Sequence, residues 1–210
     1  MVLSQSGHYA CVMLIHMSFV RKLLCCVFLS LFVLSAGVIC GQAPAAPQPP
    51  ATILIIRHAE KLTDGRMDLS PTGFERAKRL PKLFLPAGVR PDLPMPQVIF
   101  ATHMSAHSNR PVETVTPLAD ALHLSIDNSI MDDDVAELAA TLMSGKYAGK
   151  VVLVAWHHGK IPQLATALGV TPPYTPWPAE QFDRVWRIDY VDGKGTLRDL
   201  PHQLMPGDSK

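Results

Sequence analysis

The sequence has no cysteine beyond position 40, since its four cysteines stand at Cys11, Cys25, Cys26 and Cys40 of 210 residues. A domain that follows this region has neither a disulfide framework nor a thiolate metal site. An excess of one charge is lacking too, because 19 Lys and Arg stand against 18 Asp and Glu. The clustered basic face that is typical of nucleic-acid binding is therefore not indicated. We expect no nucleic-acid partner.

The first 43 residues also lack Asp and Glu, and their only Lys and Arg residues are Arg21 and Lys22. An apolar run of 18 residues, 23–40, follows this pair, and small residues come next. This order is typical of a secretory signal. We predict a signal sequence over residues 1–43, with Met17 as an alternative start, and an exported protein, periplasmic or extracellular. The alternative is an uncleaved anchor, because the run is near the lower limit for a membrane span. Membrane contact is expected only in that case.

Proline and alanine dominate residues 44–51, which predicts an extended, semi-rigid linker. The remaining residues, 52–210, have the length of one domain. We therefore divide the chain into a signal sequence, a linker and a single folded domain.

Three short apolar runs without a polar face predict central strands covered by helices, at residues 52–56, 97–101 and 151–156. Ser70 and Pro71 predict the N-cap and first position of a helix that extends to about Leu83. Helical spacing of apolar residues predicts further helices over 110–122, 133–143 and 161–168, the last with Gly169 as its C-cap. An antiparallel hairpin is predicted over 184–200. The alternation favours a three-layer α/β/α sandwich with a mostly parallel central sheet and helices on both faces.

Arginine or histidine follows each of the three predicted central strands, at Arg57-His58, in the segment 103–110, and at His157-His158. The carboxyl ends of parallel strands meet at one edge of a sheet, so we expect a cationic pocket there. The planar guanidinium group of arginine binds two phosphate oxygens at once. Neighbouring positive charge disfavours protonation of a histidine, which keeps that histidine available as a nucleophile toward phosphorus. The pattern predicts phosphoryl chemistry.

The sequence Arg57-His58-Ala59-Glu60 resembles the signature of the histidine phosphatase superfamily, which includes the phosphoglycerate mutases. The segment 69–77 resembles the next part of that pattern, a leucine and a glycine before a helix. The segment 108–114 is similar to its arginine motif, and the strand that ends before His157 is similar to the one carrying its second histidine. This resemblance covers residues 52 to about 168 and implies a phosphoglycerate mutase-like fold of branch 1.

The resemblance implies a role for each matched residue. His58 corresponds to the nucleophile that becomes phosphohistidine, Arg57 and Arg110 to phosphate ligands, and His157 to the histidine that stabilises the transferred phosphoryl group. It further implies a small phosphorylated substrate, no cofactor and no metal. Adjacent histidines on an extended segment point in opposite directions, so His157 and His158 are not expected to bind one metal ion together.

The resemblance also calls for a proton donor between the arginine motif and the second histidine. Candidate donors are Asp132 and Asp133, although neither lies in a segment that aligns with the superfamily pattern. The rim of the substrate pocket is expected to include Glu60, Thr102, His103 and His158. The loops 102–109 and 171–181 are expected to select the substrate, with Trp177 and Trp186 in a proline-rich cover of the core. His123 and His202 are expected at the surface.

The activity implied is a phosphatase that acts on phosphomonoesters, or on phosphohistidine, through a phosphohistidine intermediate on His58. The alternative is a phospholigand-binding module with weak or no turnover, which the unmatched proton donor favours. A phosphomutase is a third interpretation. The short chain disfavours it, because the segments with which mutases hold a bisphosphate primer are missing.

Overall fold

The computed structural model describes residues 47–86 and 90–210. Six strands are described, β1 Thr52–Arg57, β2 Val98–Ala101, β3 Ile126–Asp127, β4 Val151–Trp156, β5 Arg184–Val191 and β6 Lys194–Pro201. The helices are α1 Pro71–Arg79, α2 Arg110–Leu122, α3 Val135–Met143 and α4 Ile161–Ala167, with a short 3₁₀ helix at Leu80–Leu83. The predicted signal sequence, 1–43, lies outside the described residues. Within those residues no helix has both the length and the apolar character to cross a membrane.

The six strands form one sheet in the order β3-β2-β4-β1-β5-β6. The pairs β1/β4, β2/β4 and β2/β3 are parallel, whereas β5 runs antiparallel to β1 and to β6. The three predicted central strands are confirmed as β1, β2 and β4. The predicted hairpin is confirmed as β5 and β6, joined by Asp192 and Gly193, whose φ angles are both positive. Two-residue hairpin turns favour such angles, because they match the twist of the flanking strands.

Alternating side chains of the central strands enter two separate hydrophobic clusters. One cluster contains Ile53 and Ile55 of β1 together with residues of α3 and α4. The other contains Leu54 and Ile56 of the same strand together with residues of α2 and the 3₁₀ helix. Since successive side chains of a strand point to opposite faces, the helices cover the sheet on both sides. The predicted α/β/α sandwich is confirmed.

The helix boundaries follow local chemistry. Ser70 caps α1, because its Oγ accepts a hydrogen bond from the Gly73 amide at 3.1 Å. The α-helix ends at Arg79, earlier than the predicted Leu83, because Pro81 has no amide hydrogen and disfavours the helix interior. The chain continues as the 3₁₀ helix instead. α2 begins and ends as predicted, α3 begins two residues later, and Gly169, with φ +81°, follows the end of α4.

The end of the predicted linker packs against the domain. Pro50 is buried, the Gly149 amide donates to the Pro49 carbonyl at 3.4 Å, and the Ala51 amide donates to the Lys150 carbonyl at 2.9 Å. These contacts lie at the start of β4. The folded part of the chain therefore includes residues just before Thr52.

Candidate active site

The parallel strands β1 and β4 deliver two histidines to one edge of the sheet. Arg57 and Trp156 are paired at the ends of these strands, so the next residues, His58 and His157, leave the sheet side by side. The His58 amide donates to the Trp156 carbonyl at 3.1 Å, which extends the hydrogen bonding between β1 and β4 by one bond. The two imidazole rings lie 5.3 Å apart between centroids, at an interplanar angle of 70°. The predicted convergence of these two histidines is thus observed.

His58 is 2% exposed, and its ring is oriented by its own neighbour in the chain. Nδ1 lies 2.6 Å from the Ala59 carbonyl oxygen. A carbonyl oxygen only accepts, so this contact assigns the proton to Nδ1 and leaves the Nε2 lone pair as the reactive one. Burial, followed by the charges of His157 and Arg57, lowers the pKa of His58 from 6.5 to about 2. A neutral imidazole with Nε2 unprotonated is the form that attacks an electrophile.

Arg57 is buried beside His58 and holds a late loop of the chain. Its Nη1 donates to the carbonyl oxygens of Pro178 at 3.3 Å and Gln181 at 3.2 Å, and its guanidinium carbon lies 3.7 Å from the ring centroid of Phe182. Burial lowers the pKa of Arg57 to about 10. Its Nε is buried without a hydrogen-bond partner among the described residues.

Arg110 is the first residue of α2 and is half-buried. Its Nη1 donates to the carbonyl oxygens of Arg66 at 2.9 Å and Met67 at 3.1 Å. Its Nε is also buried and unpartnered in the part of the chain that the structure describes. The charge of Arg110 contributes to the lowered pKa values of His58 and Arg57, so the three side chains share one electrostatic environment.

His157 has a polar partner at each ring nitrogen. Its Nε2 lies 3.0 Å from the Ser108 hydroxyl oxygen, and its Nδ1 lies 2.9 Å from Oδ1 of Asp132. The second contact lacks the geometry of a linear hydrogen bond. The His157 side chain is 19% exposed.

Neither a scan against models of protein families nor a search of curated proteins finds a match to this sequence. Solved structures do match. A protein from Escherichia coli assigned as an alpha-ribazole-5'-P phosphatase aligns with a TM-score of 0.53 at 16% identity, over 72% of this chain and 96% of its own. The described chain has the phosphoglycerate mutase-like fold. The fold that the sequence resemblance implied is therefore confirmed.

Two further structures resemble the chain less closely. A phosphoglycerate mutase from Bacillus anthracis gives a TM-score of 0.47 at 16% identity, over 73% of this chain and 94% of its own. A phosphoserine phosphatase from Entamoeba histolytica, in complex with phosphoserine, gives 0.49 at 11% identity, over 73% of this chain and 98% of its own. At these identities the similarity concerns the fold.

The two candidate proton donors lie in different surroundings. Asp132 contacts the ring of His157. Asp133 instead forms an ion pair with Lys160, with its side chain 83% exposed. A hydrogen bond from Lys160 lowers the pKa of Asp133, which disfavours the protonated form that a donor needs. The structure brings Asp132, and not Asp133, to the histidine pair.

The four predicted rim residues are not equivalent. The Glu60 carboxylate is bound by Arg76 at 2.7 Å, and Thr102 is buried with an unpartnered hydroxyl among the described residues. His103 is exposed, with Nδ1 3.0 Å from the Asn128 carbonyl oxygen. His158 is half-buried, and burial, followed by the charge of Arg57, lowers its pKa to about 4. Glu60 is therefore a structural residue near His58, whereas His158 lies in the cationic environment.

Sequence reasoning missed two residues of the site, Ser108 and Phe182. Ser108 contacts His157, and Phe182 lies against both Arg57 and His58, the latter at 6.1 Å between ring centroids. The position of Ser108 two residues before Arg110 was the available signal. Phe182 had none, because its loop reaches the site through tertiary contacts with Arg57 and His58.

Two cavities are lined by residues that neighbour the histidine pair, although neither His58 nor His157 lines them. The larger, of about 560 Å³, is lined by Glu60, Arg76, Phe182 and neighbouring residues. The smaller, of about 270 Å³, is lined by His158, Trp177 and residues of α4. Over residues 47–86 and 90–210, no group of three or more His, Cys, Asp and Glu side chains is arranged to hold a metal ion. The expectation of a metal-free reaction stays a prediction.

Proposed function

We propose that the protein is an exported, metal-independent phosphatase that hydrolyses phosphomonoesters through a phosphohistidine on His58. The observation that carries this proposal is the state of the His58 ring. It is buried, its Nδ1 is hydrogen-bonded to the Ala59 carbonyl, and its Nε2 is unprotonated beside two arginines. A histidine that served only to pack or to bind a ligand would not need this combination of burial, fixed tautomer and adjacent cations.

The arginines supply the second line of support. The Nε groups of Arg57 and Arg110 are buried donors without a partner in the described chain. Buried donors are almost always hydrogen-bonded, so two orphaned guanidinium donors beside one nucleophile fit an anion that the site receives. A phosphoryl group matches them in charge and in its number of acceptor oxygens. The Escherichia coli protein that shares the fold is assigned as a phosphatase, which agrees with this chemistry.

The reaction proceeds in two steps. Arg57 and Arg110 hold the phosphoryl oxygens, with the His157 ring beside His58, while His58 Nε2 attacks phosphorus in line with the leaving oxygen. The bond from phosphorus to that oxygen breaks, and phosphohistidine remains. Water then attacks phosphorus, the nitrogen–phosphorus bond breaks, and phosphate leaves with His58 restored. Positioning and charge stabilisation supply most of the catalysis in such transfers.

The test is hydrolysis of p-nitrophenyl phosphate by the purified protein in EDTA, for the wild type, His58→Ala and His123→Asn. His123 is an exposed histidine at the end of α2, so His123→Asn removes an imidazole far from the pocket. We expect activity in chelator, retention in His123→Asn, and a loss on the order of 10³-fold or more in His58→Ala. An alkaline quench during turnover should trap one phosphoryl group on His58, detectable by mass spectrometry.

Other results lead to different conclusions. Activity that persists in His58→Ala means that the mechanism is wrong. Activity that EDTA abolishes and a divalent metal restores refutes the metal-independent reaction. Phosphate binding by calorimetry without turnover on any phosphomonoester, at any pH, favours the phospholigand-binding module instead.

Export is the remaining part of the proposal, and it rests on the sequence of residues 1–43. Fractionation of cells that express the full chain should place the protein outside the cytoplasm. Its mature N-terminus should follow Gly41 or Ala43. A full-length protein in the membrane fraction would favour the anchor.

A further inference from the structure

Ser108 is held against the second histidine of the pair. It is 4% exposed, and its hydroxyl oxygen lies 3.0 Å from His157 Nε2. Its backbone is fixed by a bridge to Ser105, whose amide donates to the Ser108 carbonyl at 3.1 Å. The loop before α2 thus fixes the backbone of Ser108, and this places its hydroxyl group beside His157.

Asp132 occupies the opposite side of the same imidazole. Its Oδ1 lies 2.9 Å from His157 Nδ1, and its backbone carbonyl accepts a hydrogen bond from the buried Trp156 indole at 3.2 Å. The amide of His103 donates to the Ile130 carbonyl at 2.8 Å, which fixes the segment just before Asp132. A carboxylate, an imidazole and a hydroxyl therefore lie in series, each within contact of the next.

Hydrolysis of a phosphomonoester requires a proton for the leaving oxygen when that oxygen is strongly basic. The nearby carboxyl groups are poorly placed to give one directly. Glu60 is bound by Arg76, and Asp133 is exposed and paired with Lys160. Glu113 is the rival: burial raises its pKa, but its Oε2 accepts from the Leu69 amide at 2.9 Å.

We propose that Ser108, His157 and Asp132 form a proton relay that protonates the leaving group, an inference that rests on the proposed function. As His58 Nε2 bonds to phosphorus, the ester bond from phosphorus to oxygen breaks. The departing oxygen takes the hydroxyl proton of Ser108, and Ser108 takes the Nε2 proton of the imidazolium of His157. The negative charge of Asp132 stabilises that imidazolium beforehand. Asp132 acts as a positioning residue, and Ser108 is catalytic.

The second half of the reaction restores the relay. Water attacks the phosphorus of phosphohistidine, and the nitrogen–phosphorus bond breaks. One proton of that water passes to Ser108 while the Ser108 proton passes to His157 Nε2. The imidazolium is then ready for the next ester, and no proton is gained or lost over the cycle beyond those of the water consumed.

The test compares two substrates that differ in leaving group, p-nitrophenyl phosphate and β-glycerophosphate. The p-nitrophenolate ion leaves without a proton. The glycerol oxygen of β-glycerophosphate is strongly basic and needs a proton as it leaves. We expect Ser108→Ala to reduce kcat/KM for β-glycerophosphate by about 10²- to 10⁴-fold, the range of general acid catalysis, and kcat/KM for p-nitrophenyl phosphate much less. This ratio reports the phosphorylation of His58 alone, so the hydrolysis of phosphohistidine that both substrates share does not enter it. Asp132→Asn should show the same selectivity at smaller magnitude. Because Asp132 is partly exposed, this variant tests the relay even if Ser108→Ala fails to fold.

Two controls complete the experiment. Ser105→Ala removes an exposed hydroxyl from the same loop and should leave the ratio of the two rates unchanged. Glu113→Gln should leave that ratio unchanged as well, and a selective loss in this variant would assign the acid to Glu113 and overturn the relay.

Equal losses on both substrates in Ser108→Ala and Asp132→Asn, or no loss, would also overturn the relay. Neither result would contradict the proposed function. That function is tested separately, by the activity of the wild type and of His58→Ala on p-nitrophenyl phosphate.

Discussion

Nδ1 of His58 lies 2.6 Å from the carbonyl oxygen of Ala59, the next residue in the chain. The proposed nucleophile is thus oriented by a backbone atom that substitution of a side chain does not remove. The rest of the protein has to hold the Ala59 peptide in place and keep the His58 ring neutral.

We expect the His58 ring to remain neutral through the physiological range, since burial lowers its pKa to about 2. A base whose pKa is lowered is unprotonated above that value, so Nε2 stays available down to about pH 3. Nuclear magnetic resonance of the ¹³C-labelled imidazoles, with His58 assigned from His58→Ala, should show no titration of His58 between pH 4 and 8. A midpoint near 6.5 would contradict the buried, neutral nucleophile.

Thr114→Val should destabilise the protein and slow catalysis. The Thr114 hydroxyl oxygen accepts from the Ala59 amide at 2.9 Å and donates to the Arg110 carbonyl at 2.7 Å. Valine keeps the shape but leaves the buried amide unpaired, which costs about 1–3 kcal/mol. We expect this loss in urea unfolding and a larger effect on kcat than on KM, because the Ala59 peptide orients His58.

Thr116→Val is the matched control for this prediction. Its hydroxyl donates to the Val112 carbonyl on the same helix, away from the Ala59 amide. Equal stability and kcat for the two variants would show that the bond from Ala59 to Thr114 does not hold the nucleophile.

Arg76→Met should cause a large loss of stability. The buried Arg76 guanidinium binds the Glu60 carboxylate at 2.7 Å and the Asp208 carboxylate at 2.8 Å. Removal of the cation leaves two carboxylates uncompensated, at a cost of about 3–5 kcal/mol in unfolding free energy. Because Asp208 also accepts from the amides of Leu204 and Met205, residues 203–210 should become sensitive to protease.

Arg79→Met provides the comparison. Arg79 forms a partly exposed pair with Glu75 one turn away in α1, and such pairs contribute about 0.3–0.5 kcal/mol. If Arg76→Met lowers the unfolding free energy by no more than Arg79→Met does, the buried ion pairs of Arg76 with Glu60 and Asp208 contribute little to stability.

His202→Leu should flatten the dependence of stability on pH. Contrary to the sequence-based expectation of a surface position, His202 is 2% exposed, and neither of its ring nitrogens makes a hydrogen bond of good geometry among the described residues. Burial lowers its pKa to about 3. The folded state therefore keeps the ring neutral while the unfolded chain binds a proton below about pH 6.5. Stability due to this group falls as the pH falls from about 6.5 toward 3.

Urea unfolding between pH 4 and 6 measures this effect. The wild type should lose about 1.4 kcal/mol per pH unit more than His202→Leu, which corresponds to one proton taken up on unfolding. His123→Asn, which removes an exposed histidine, should keep the wild-type slope. Identical slopes for the wild type and His202→Leu would show that His202 is protonated in the folded protein.

The sequence predicted the framework of the site because local rules decide it. Apolar runs without a polar face specify central strands, and a parallel sheet brings their carboxyl ends to one edge. His58 and His157 follow two such runs, so their proximity could be inferred from the sequence. The cap at Ser70 was equally local, since it depends on residues within one helical turn.

The polar partners of the histidines could not be inferred in this way. Asp132 and Asp133 are adjacent in the chain, yet one contacts His157 and the other pairs with Lys160 on the surface. The choice depends on how the segment before α3 packs against Trp156. The position of His202 depends likewise on a tertiary contact, since its amide donates to the Asp183 carbonyl at 2.8 Å.

The sequence by itself determined the order of strands and helices, the cysteine-free domain and the delivery of arginine and histidine to one sheet edge. Hydrophobic periodicity, the positions of proline and helix capping depend on a few neighbouring residues, so they can be recognised in the sequence alone. Only the tertiary structure decided how the Ala59 peptide that orients His58 is held, which aspartate meets His157, and that Ser108 and Phe182 join the site. These depend on contacts between segments 24 to 125 residues apart, whose geometry is set by packing and desolvation and not by any local pattern.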